Sequence, residues 1–222
     1  MKHQINKASL AALVLLSASA NVANAQSGPA YNKGDWVIGL NATRVLVDED
    51  LRSASAGGAP VPNADLSIKD ATTVSLDASY FLSNKVALNV FGGIPASADL
   101  RGEGSLSGLF LGQTDYGPLI VSLQYHVLTG KKFSPYFGAG AGRVIFLNEE
   151  DRTLTNFDIK DTWAPAVQAG FRWKMDNNWS ANFDVRYTPF KVDITGNLGP
   201  DPVKAKVKID PTILGIGVAY RF

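Results

Sequence analysis

The side chains in this sequence that could do chemistry are a few charged residues and His126, the one histidine beyond the N-terminal segment. Four of the charged residues lie at polar positions of segments in which apolar and polar residues alternate: Asp77, Arg172, Asp184 and Arg186. A nucleophile needs a neighbouring base, and the spacing around His126 suggests no Ser-His-acid set or clustered carboxylates. The chain has no cysteine, so no thiolate can bind a metal or form a disulfide. We therefore expect no enzymatic activity, metal or cofactor, and we expect these charges to pair with one another.

The segments that position these residues have the period-two alternation of β-strands. In the last one, Thr212 to Phe222, Leu214, Ile216 and Val218 share one face and glycines lie on the other. Eight such segments are predicted, over residues 35–46, 72–82, 86–94, 119–127, 135–146, 163–175, 179–187 and 212–222.

The links between the predicted strands alternate in length. Tight links occur at 83–85, around Gly130 and at 176–178, whereas residues 47–70, 96–117, 148–162 and 191–210 form long links. Transmembrane barrels have short periplasmic turns and long extracellular loops. The sequence therefore predicts an all-β protein, an eight-stranded antiparallel up-and-down transmembrane β-barrel with both termini on the turn side.

The N-terminal segment predicts export. Lys2 and Lys7 precede a short apolar run and the sequence Ala23-Asn24-Ala25, the pattern of a cleaved secretory signal. We expect residues 1–25 to be removed and residues 26–222 to form the barrel domain. No apolar stretch is long enough for an ordinary transmembrane helix.

Alternation alone does not say which face is outside, because a soluble lipocalin-like barrel would bury its apolar face. The tight-turn ends favour the membrane barrel, since they carry the aromatic residues Trp173, Trp179, Tyr220 and Phe222, as in an interfacial girdle. The apolar faces then contact lipid and the charges face inward. The net charge of +1 gives no basic footprint for nucleic acid.

Eight strands enclose a lumen that side chains can fill or that holds one small ligand. The inward charges either plug this lumen or bind a solute, and Phe91 either packs there or forms an apolar constriction. The residues predicted to line the lumen or its constriction are Asp77, Asn89, Phe91, Gln124, Gln168, Arg172, Asp184, Arg186 and Arg221.

Prolines recur where the strands should reach the outer margin of the hydrocarbon. Proline cannot donate to a strand ladder, so one interpretation is that the strands simply fray there. The alternative hypothesis is that Pro95 and Pro118, on neighbouring strands, leave a lateral gap in the wall. Pro189 and Pro211 are the competing location for such a gap.

The predicted loops are unusually apolar. They would either pack together for rigidity or form a hydrophobic funnel above the lumen, and both are compatible. An apolar concavity suits an apolar small molecule. The funnel candidates are Leu66, Leu109, Phe110, Leu154 and Phe157.

Nearly the whole mature chain resembles the outer membrane protein W (OmpW) family of Gram-negative bacteria, and within it the AlkL-like branch. The resemblance is carried by "VPNADLSI", "DYGPLIVSLQYH", "PYFGAGAGRVIF", "FDIKDTWAPAVQAGFR", "DVRYTPFKVDITGNLGP" and the final "YRF". It implies an eight-stranded barrel in the outer membrane that passes small hydrophobic molecules, with lateral release into the bilayer. Members of the family often accompany hydrocarbon or terpene oxidation pathways.

We therefore expect passive uptake of small hydrophobic solutes such as alkanes or terpenes. The alternatives are a structural or adhesion barrel with a plugged lumen and a channel for small polar solutes. The expected partners are these solutes, outer-membrane lipid, lipopolysaccharide and the barrel assembly machinery. Tyr220 and Phe222 are the candidate assembly signal at the C-terminus.

Overall fold

The computed structural model describes residues 31–128 and 131–222. The expected signal peptide, residues 1–25, and the tight link at Gly130 lie outside the described residues. Within the described ranges the strands are β1 (Trp36–Leu46), β2 (Glu49–Ala56), β3 (Ala59–Pro60), β4 (Ala64–Ile68), β5 (Ala71–Phe81), β6 (Val86–Gly93), β7 (Ala96–Gly104), β8 (Phe110–His126), β9 (Phe133–Asp151), β10 (Thr155–Ile159), β11 (Thr162–Lys174), β12 (Trp179–Tyr187), β13 (Phe190–Leu198), β14 (Asp201–Ile209) and β15 (Thr212–Arg221).

Eight of these strands form a closed antiparallel barrel, which confirms the predicted fold class. Their order around the wall is β1, β5, β6, β8, β9, β11, β12 and β15. The last strand pairs with the first from Val37–Arg221 to Leu46–Thr212, so the wall has no open edge there. Closure satisfies the backbone hydrogen bonds between strands, which a barrel in lipid requires.

The exposed and buried faces of the barrel are reversed relative to a soluble protein. Along β1, residues from Trp36 to Ala42 alternate between exposed and buried, with Ile38 and Leu40 exposed and Asn41 and Thr43 buried. The other barrel strands repeat this pattern, so the oily stripes face outward as predicted. No helix in the described ranges is both long and apolar enough to span a membrane.

Most of the spans predicted as long loops are β-structure instead. β7 pairs with β4 and with the first half of β8, and β8 and β9 extend beyond the barrel margin. A second sheet has the strand order β10, β13, β14, β2 and β3. The barrel therefore continues above its outer margin as a two-sheet extension.

The apolar residues of these spans form the core of the extension. Val192 on β13 stands opposite Val207 on β14, and both are buried, as are Ile194 and Ile209 on the same faces of these strands. The same cluster includes Leu66, Ala98, Leu100, Leu111, Val144, Leu154, Phe157, Ile159, Ala164 and Phe190. Burying this apolar surface explains why the extension is ordered into strands.

Candidate solute passage

The turn-side end of the lumen is filled by an aromatic layer. Tyr31, which precedes β1, stacks on Phe81 with ring centroids 4.1 Å apart, and His126 lies 5.0 Å from Phe81. Val37, Ala87 and Ala219 are buried around these rings. His126 Nδ1 lies 3.1 Å from Ser134 Oγ. No three His, Asp or Glu residues of the described ranges are placed to hold a metal ion.

Above the aromatic layer lies a polar layer built around a buried ion pair. Arg172 Nη2 is 3.2 Å from Asp77 Oδ1 and donates to Ser79 Oγ at 2.9 Å. Asn41 Nδ2 donates to the other carboxylate oxygen of Asp77 at 3.0 Å. The side chains of Arg172 and Asp77 are 1% and 4% exposed. Removing either partner of an ion pair this buried would leave an uncompensated charge inside the barrel.

A second buried ion pair completes the polar layer. Arg186 Nε lies 2.6 Å from Asp184 Oδ1, and Tyr136 donates its hydroxyl hydrogen to Asp184 Oδ2 at 2.8 Å. Arg186 Nη1 donates to Asn89 Oδ1 at 3.2 Å. Asn182 Nδ2 donates to Asn41 Oδ1 at 2.8 Å, joining the two groups.

The two glutamines predicted to line the lumen lie in the same layer. Ser79 donates to Gln124 Oε1 at 3.3 Å, and Gln168 Nε2 donates to Ser122 Oγ at 2.8 Å. Gly138 leaves room for this packing, because a Cβ there would lie 2.7 Å from Gln168 Nε2. Side chains therefore fill the lumen at this level, and a solute could pass downward only by breaking charged and hydrogen-bonded contacts.

An apolar layer lies directly above the polar one. It consists of Val45, Phe91, Ile120, Ala166 and Ile213, all buried. The guanidinium carbon of Arg186 lies 4.0 Å from the centre of the Phe91 ring, a cation–π contact. Phe91 is thus the point at which the polar layer meets the apolar one.

The pairing between neighbouring strands of the barrel wall is interrupted beside this apolar layer. β6 pairs with β8 from Val86–Tyr125 to Phe91–Ile120, and β7 pairs with β8 only from Ala96–Tyr116 upward. Between them no ladder pair joins residues 92–95 to residues 117–119. The backbone of Ile94 bonds to β5 instead: its N–H donates to Val74 O at 3.0 Å, and its carbonyl accepts from Thr73 Oγ1 at 2.8 Å.

Pro95 and Pro118 lie in this unpaired stretch. A Cβ built on Gly117 would lie 3.7 Å from Pro95 Cα, so the opposing backbones are near each other without being bonded. The outward rim is apolar, with Ile94 and Leu119 exposed to 64% and 52%. We call residues 92–95 together with residues 117–119 the wall gap.

A cavity of about 20 Å³ connects the wall gap with the apolar layer. From the lumen it is lined by Val45, Phe91 and Ile213, and from the wall by Gly93 and Pro118. This volume is about that of one water molecule. Apolar lumen side chains and the gap therefore share one small space.

The competing proline pair lies at a break that a hydrogen bond bridges. β12 pairs with β15 up to Tyr187–Thr212, Thr188 N–H donates to Pro211 O at 3.3 Å, and β13 pairs with β14 from Phe190–Ile209. The register is the same on both sides of this break, whereas it shifts by one residue across the wall gap. The break at Pro95 and Pro118 is therefore the larger irregularity of the wall.

Four of the five funnel candidates pack in or on the core of the extension. Leu66, Leu154 and Phe157 are buried in the core of the extension, and Leu109 packs on it half-buried. Phe110 lies beneath two guanidinium groups, with its ring centre 4.8 Å from Arg101 Cζ. The structure thus shows loop–loop packing here, with apolar surface continuing upward from the apolar layer.

The C-terminal candidates lie at the turn-side rim. Tyr220 contacts Trp179 and Phe222 with centroid distances of 5.0 and 4.8 Å, and Phe222 is 69% exposed. Arg221 lies half-buried on the inward face, 3.7 Å from Asp35. These contacts place an aromatic cluster at the end of the wall that the last strand closes.

Several residues of the site are not apparent from the sequence. Tyr31 lies outside every predicted strand, yet it closes the turn-side end of the lumen. Tyr136 belongs to a segment whose glycines make its alternation ambiguous, and Ile213 is on the face opposite the apolar stripe. Tyr116 lies in a predicted loop, although it shares the parity of Ile120 in the strand that follows.

Comparison with known proteins agrees with this architecture. Residues 32–222 match the OmpW family. The chain belongs to the OmpW family. It is 49% identical to outer membrane protein AlkL of Ectopseudomonas oleovorans over 193 residues, which cover 86% of this chain and 84% of that protein. It is therefore an AlkL-like protein of the outer membrane of a Gram-negative bacterium.

Solved structures give the same result. This OmpW-family chain matches the solid-state NMR structure of AlkL in DMPC lipid bilayers with a TM-score of 0.72 and 47% identity, covering 91% of this chain and 96% of the other. OprG from Pseudomonas aeruginosa matches with a TM-score of 0.82 and 23% identity, covering 88% and 99%. The second match shows the shared fold.

Proposed function

We propose that this OmpW-family barrel takes up small hydrophobic molecules passively and releases them sideways into the outer membrane. The observation that carries the proposal is the wall gap, which opens the apolar layer toward lipid directly above a polar layer that fills the lumen. The similarity to AlkL, an outer membrane protein from a relative with 49% identity, supports an uptake role. Alkanes and terpenes are the solute classes we expect.

The energetics favour the sideways route over the downward one. Moving an apolar solute from water into hydrocarbon gains about 0.8 kcal/mol for each buried CH₂ group. Moving it through the polar layer would instead separate Arg172 from Asp77 or Arg186 from Asp184. Leaving a buried charge without its partner costs about 3–5 kcal/mol. A solute that reaches Phe91 therefore has lower barriers through the gap than through the floor.

Passage requires the apolar layer to move. The cavity between Phe91 and the gap has a volume of about 20 Å³, too small for an alkane. Ile213 is held there by apolar contacts, and Phe91 by apolar contacts and the cation–π contact with Arg186. Rotamer changes of these two side chains could widen the space without breaking an ion pair. The described conformation is therefore the closed one, and each solute opens its own path.

The extension supplies the outer part of the route. Polar lipopolysaccharide headgroups resist greasy solutes, and the extension carries an apolar interior from its core down to Tyr116 and Val47, which contact the apolar layer. A solute that follows this interior avoids the headgroups. Its apolar surface stays out of water until it reaches the gap.

The filled polar layer also favours a second candidate function, a structural barrel with a plugged lumen. In that case the extension would be a surface element, and the wall gap a site of fraying. Uptake experiments separate the two functions, because a plugged barrel would not speed the uptake of any solute.

The test is uptake by whole cells with and without the protein, using octane, limonene and glycine. We expect faster uptake of the first two and no change for glycine. Gly117→Leu should abolish the gain by filling the gap, whereas Ala169→Leu adds the same side chain to the lipid-facing wall and should leave it intact. Equal uptake of octane and limonene with and without the protein would leave the plugged barrel as the better account.

A further inference from the structure

Among the described residues, the two outer faces of the extension differ in which charges lack an ion-pair partner: lysines on one face and carboxylates on the other. On β2, β13 and β14 the outward side chains include five cations: Arg52, Lys191, Lys204, Lys206 and Lys208. They face Asp50, which pairs with Arg52 at 3.1 Å, Asp193, and Asp210 just beyond β14. Asp48 just before β2 and Asp158 on the adjoining β10 are further exposed carboxylates. We call this set of outward side chains the basic face.

Two lysines of the basic face stand directly opposite each other. Lys191 on β13 pairs in register with Lys208 on β14, and like charges in this position destabilise a sheet. Lys208 is neutralised by Asp210, with Nζ 2.5 Å from Oδ2. Lys191 has no carboxylate partner among the described residues. The pair thus leaves one uncompensated positive charge at the base of the extension.

The upper part of the basic face adds further charge. Lys206 Nζ lies 3.7 Å from Asp193, with both side chains mostly exposed, so this pair is weak. Lys204 stands opposite Thr195 on β13 and Ser55 on β2 and has no carboxylate partner in the part of the chain that the structure describes. An anionic group could therefore contact several ammonium groups at once.

The level of the basic face matches the headgroup region. Pro189 and Pro211 mark the outer ends of the lipid-facing strands β12 and β15. Lys191 and Lys208 follow two and three residues beyond them, about 7–10 Å farther out at the rise of a β-strand. In the outer leaflet of an outer membrane, this is where lipopolysaccharide carries its lipid A and inner-core phosphates.

On the face above the wall gap, the charges without an ion-pair partner in the described ranges are carboxylates. The outward side chains of β4, β7, β8 and the end of β9 include Asp65, Asp99, Glu103, Asp115 and Glu150. Arg101 pairs with Asp99 at 3.4 Å and Arg152 with Glu150 at 2.6 Å, which leaves Asp65, Glu103 and Asp115. Asp115 lies two rungs above the gap and accepts hydrogen bonds from Ser97 Oγ at 2.5 Å and Asn148 Nδ2 at 2.9 Å. These donors hold the pKa of Asp115 below its ordinary value, so it is ionised at neutral pH.

We propose that the basic face binds the phosphate groups of lipopolysaccharide, and that the acidic face keeps those groups away from the membrane next to the wall gap. The first part does not depend on the proposed function. The second part rests on the proposed function, because it assumes that solutes leave at the wall gap. There the acidic face would leave the lipid less crowded by phosphorylated headgroups.

Binding is measured on the full mature chain in detergent micelles, titrated with bisphosphorylated lipid A. Lys191→Glu/Lys204→Glu reverses the two lysines without carboxylate partners and should weaken binding about tenfold at low salt. Lys33→Glu/Lys85→Glu makes the same change in net charge at the turn side and should leave the affinity within about twofold. High salt should reduce the difference, because exposed charges are screened.

Two further ligands test the chemistry. Lipid A stripped of its phosphates should bind weakly to the unchanged protein and without response to the lysine variants. Inorganic phosphate should not saturate the site at millimolar concentration. If phosphate-free lipid A binds as well as the native form, or if free phosphate saturates the same lysines, the assignment to lipopolysaccharide is wrong.

The acidic face is tested by the converse change. Asp65→Lys/Glu103→Lys places two lysines on one rung and should raise the amount of bound lipid A. If uptake through the gap is also correct, this variant should slow uptake of octane. Increased binding with unchanged uptake would overturn the link to the exit and leave the binding site intact. Unchanged binding would contradict the role of the acidic face.

Discussion

The guanidinium group of Arg186 lies over the ring of Phe91, 4.0 Å from its centre, and holds that ring at the top of the polar layer. Arg186 is at the same time paired with Asp184 at 2.6 Å. One side of Phe91 therefore faces a fixed charge and the other faces the cavity that leads to the wall gap. This contact divides a sealed floor from an apolar space that opens sideways.

Replacement of Phe91 tests its place in the passage. Phe91→Ala should enlarge the cavity and speed uptake of a bulky terpene several-fold, with a smaller effect on octane. It should also lower the free energy of unfolding by about 3 kcal/mol, because a buried ring is lost. Uptake assays and urea unfolding in micelles give the two readouts. Phe137→Ala, on the lipid-facing surface, is the control, and slower terpene uptake by Phe91→Ala alone would contradict a constriction.

Breaking the buried ion pair tests the floor. Arg172→Met leaves Asp77 buried without its cation and should cost about 3–5 kcal/mol of unfolding free energy. Adding Asp77→Leu should recover much of that loss, because no unpaired charge then remains. Arg44→Met removes a half-exposed pair with Asp70 and should cost less than about 1 kcal/mol. Similar losses for Arg172→Met and Arg44→Met would show that the inner pair is not desolvated.

The carboxyl of Asp115 should titrate below its ordinary pKa of 3.8, because Asn148 and Ser97 donate hydrogen bonds to the ionised form. Since the folded-state pKa is lowered, the stability it contributes is present above pH 3.8 and is lost as the pH falls through the folded value. Carbonyl NMR on the labelled protein measures this titration. Ser97→Ala should move the pKa upward, and a pKa at or above 3.8 in the unchanged protein would contradict the hydrogen-bond assignment.

Much of the barrel can be predicted because alternation is a local signal. The segments containing Trp36, Trp179 and Thr212 begin as strands at or within one residue of their predicted starts. Alternation alone does not say which face of the barrel is outside. The signal peptide and the aromatic girdle, which are also visible in the sequence, favour lipid rather than water around the apolar face.

The extension is not predicted from the sequence, because the apolar faces of its strands pack against other strands of the extension and do not contact lipid. "KVDITGNL" and "VKAKVKI" alternate as clearly as barrel strands, yet their lysines and the Gly199-Pro200 turn suggest a loop. Their apolar residues have meaning only against partners from distant parts of the chain, such as Leu66 and Phe157. Position in a shared core depends on those tertiary contacts, which period-two patterns do not encode.

The sequence predicts the wall gap only in part. Proline positions indicate two places where pairing could lapse, at Pro95 with Pro118 and at Pro189 with Pro211. The choice between them depends on the register of β7 against β8, which shifts relative to that of β6 against β8. Register is set by the whole sheet, so neither proline pair can decide it alone.

The most direct test of lateral release is a reversible bond across the wall gap. Pro95→Cys/Gly117→Cys joins two close backbones, because a Cβ at Gly117 would lie 3.7 Å from Pro95 Cα. This keeps the two Cα atoms closer than the limit of about 7 Å for a disulfide. The chain has no cysteine of its own to interfere. Tyr187→Cys/Thr212→Cys, a paired position at the same margin, is the matched control. Octane uptake should stop in the oxidised gap variant, return on reduction and stay unchanged in the control. Full uptake with the gap disulfide formed would contradict lateral release.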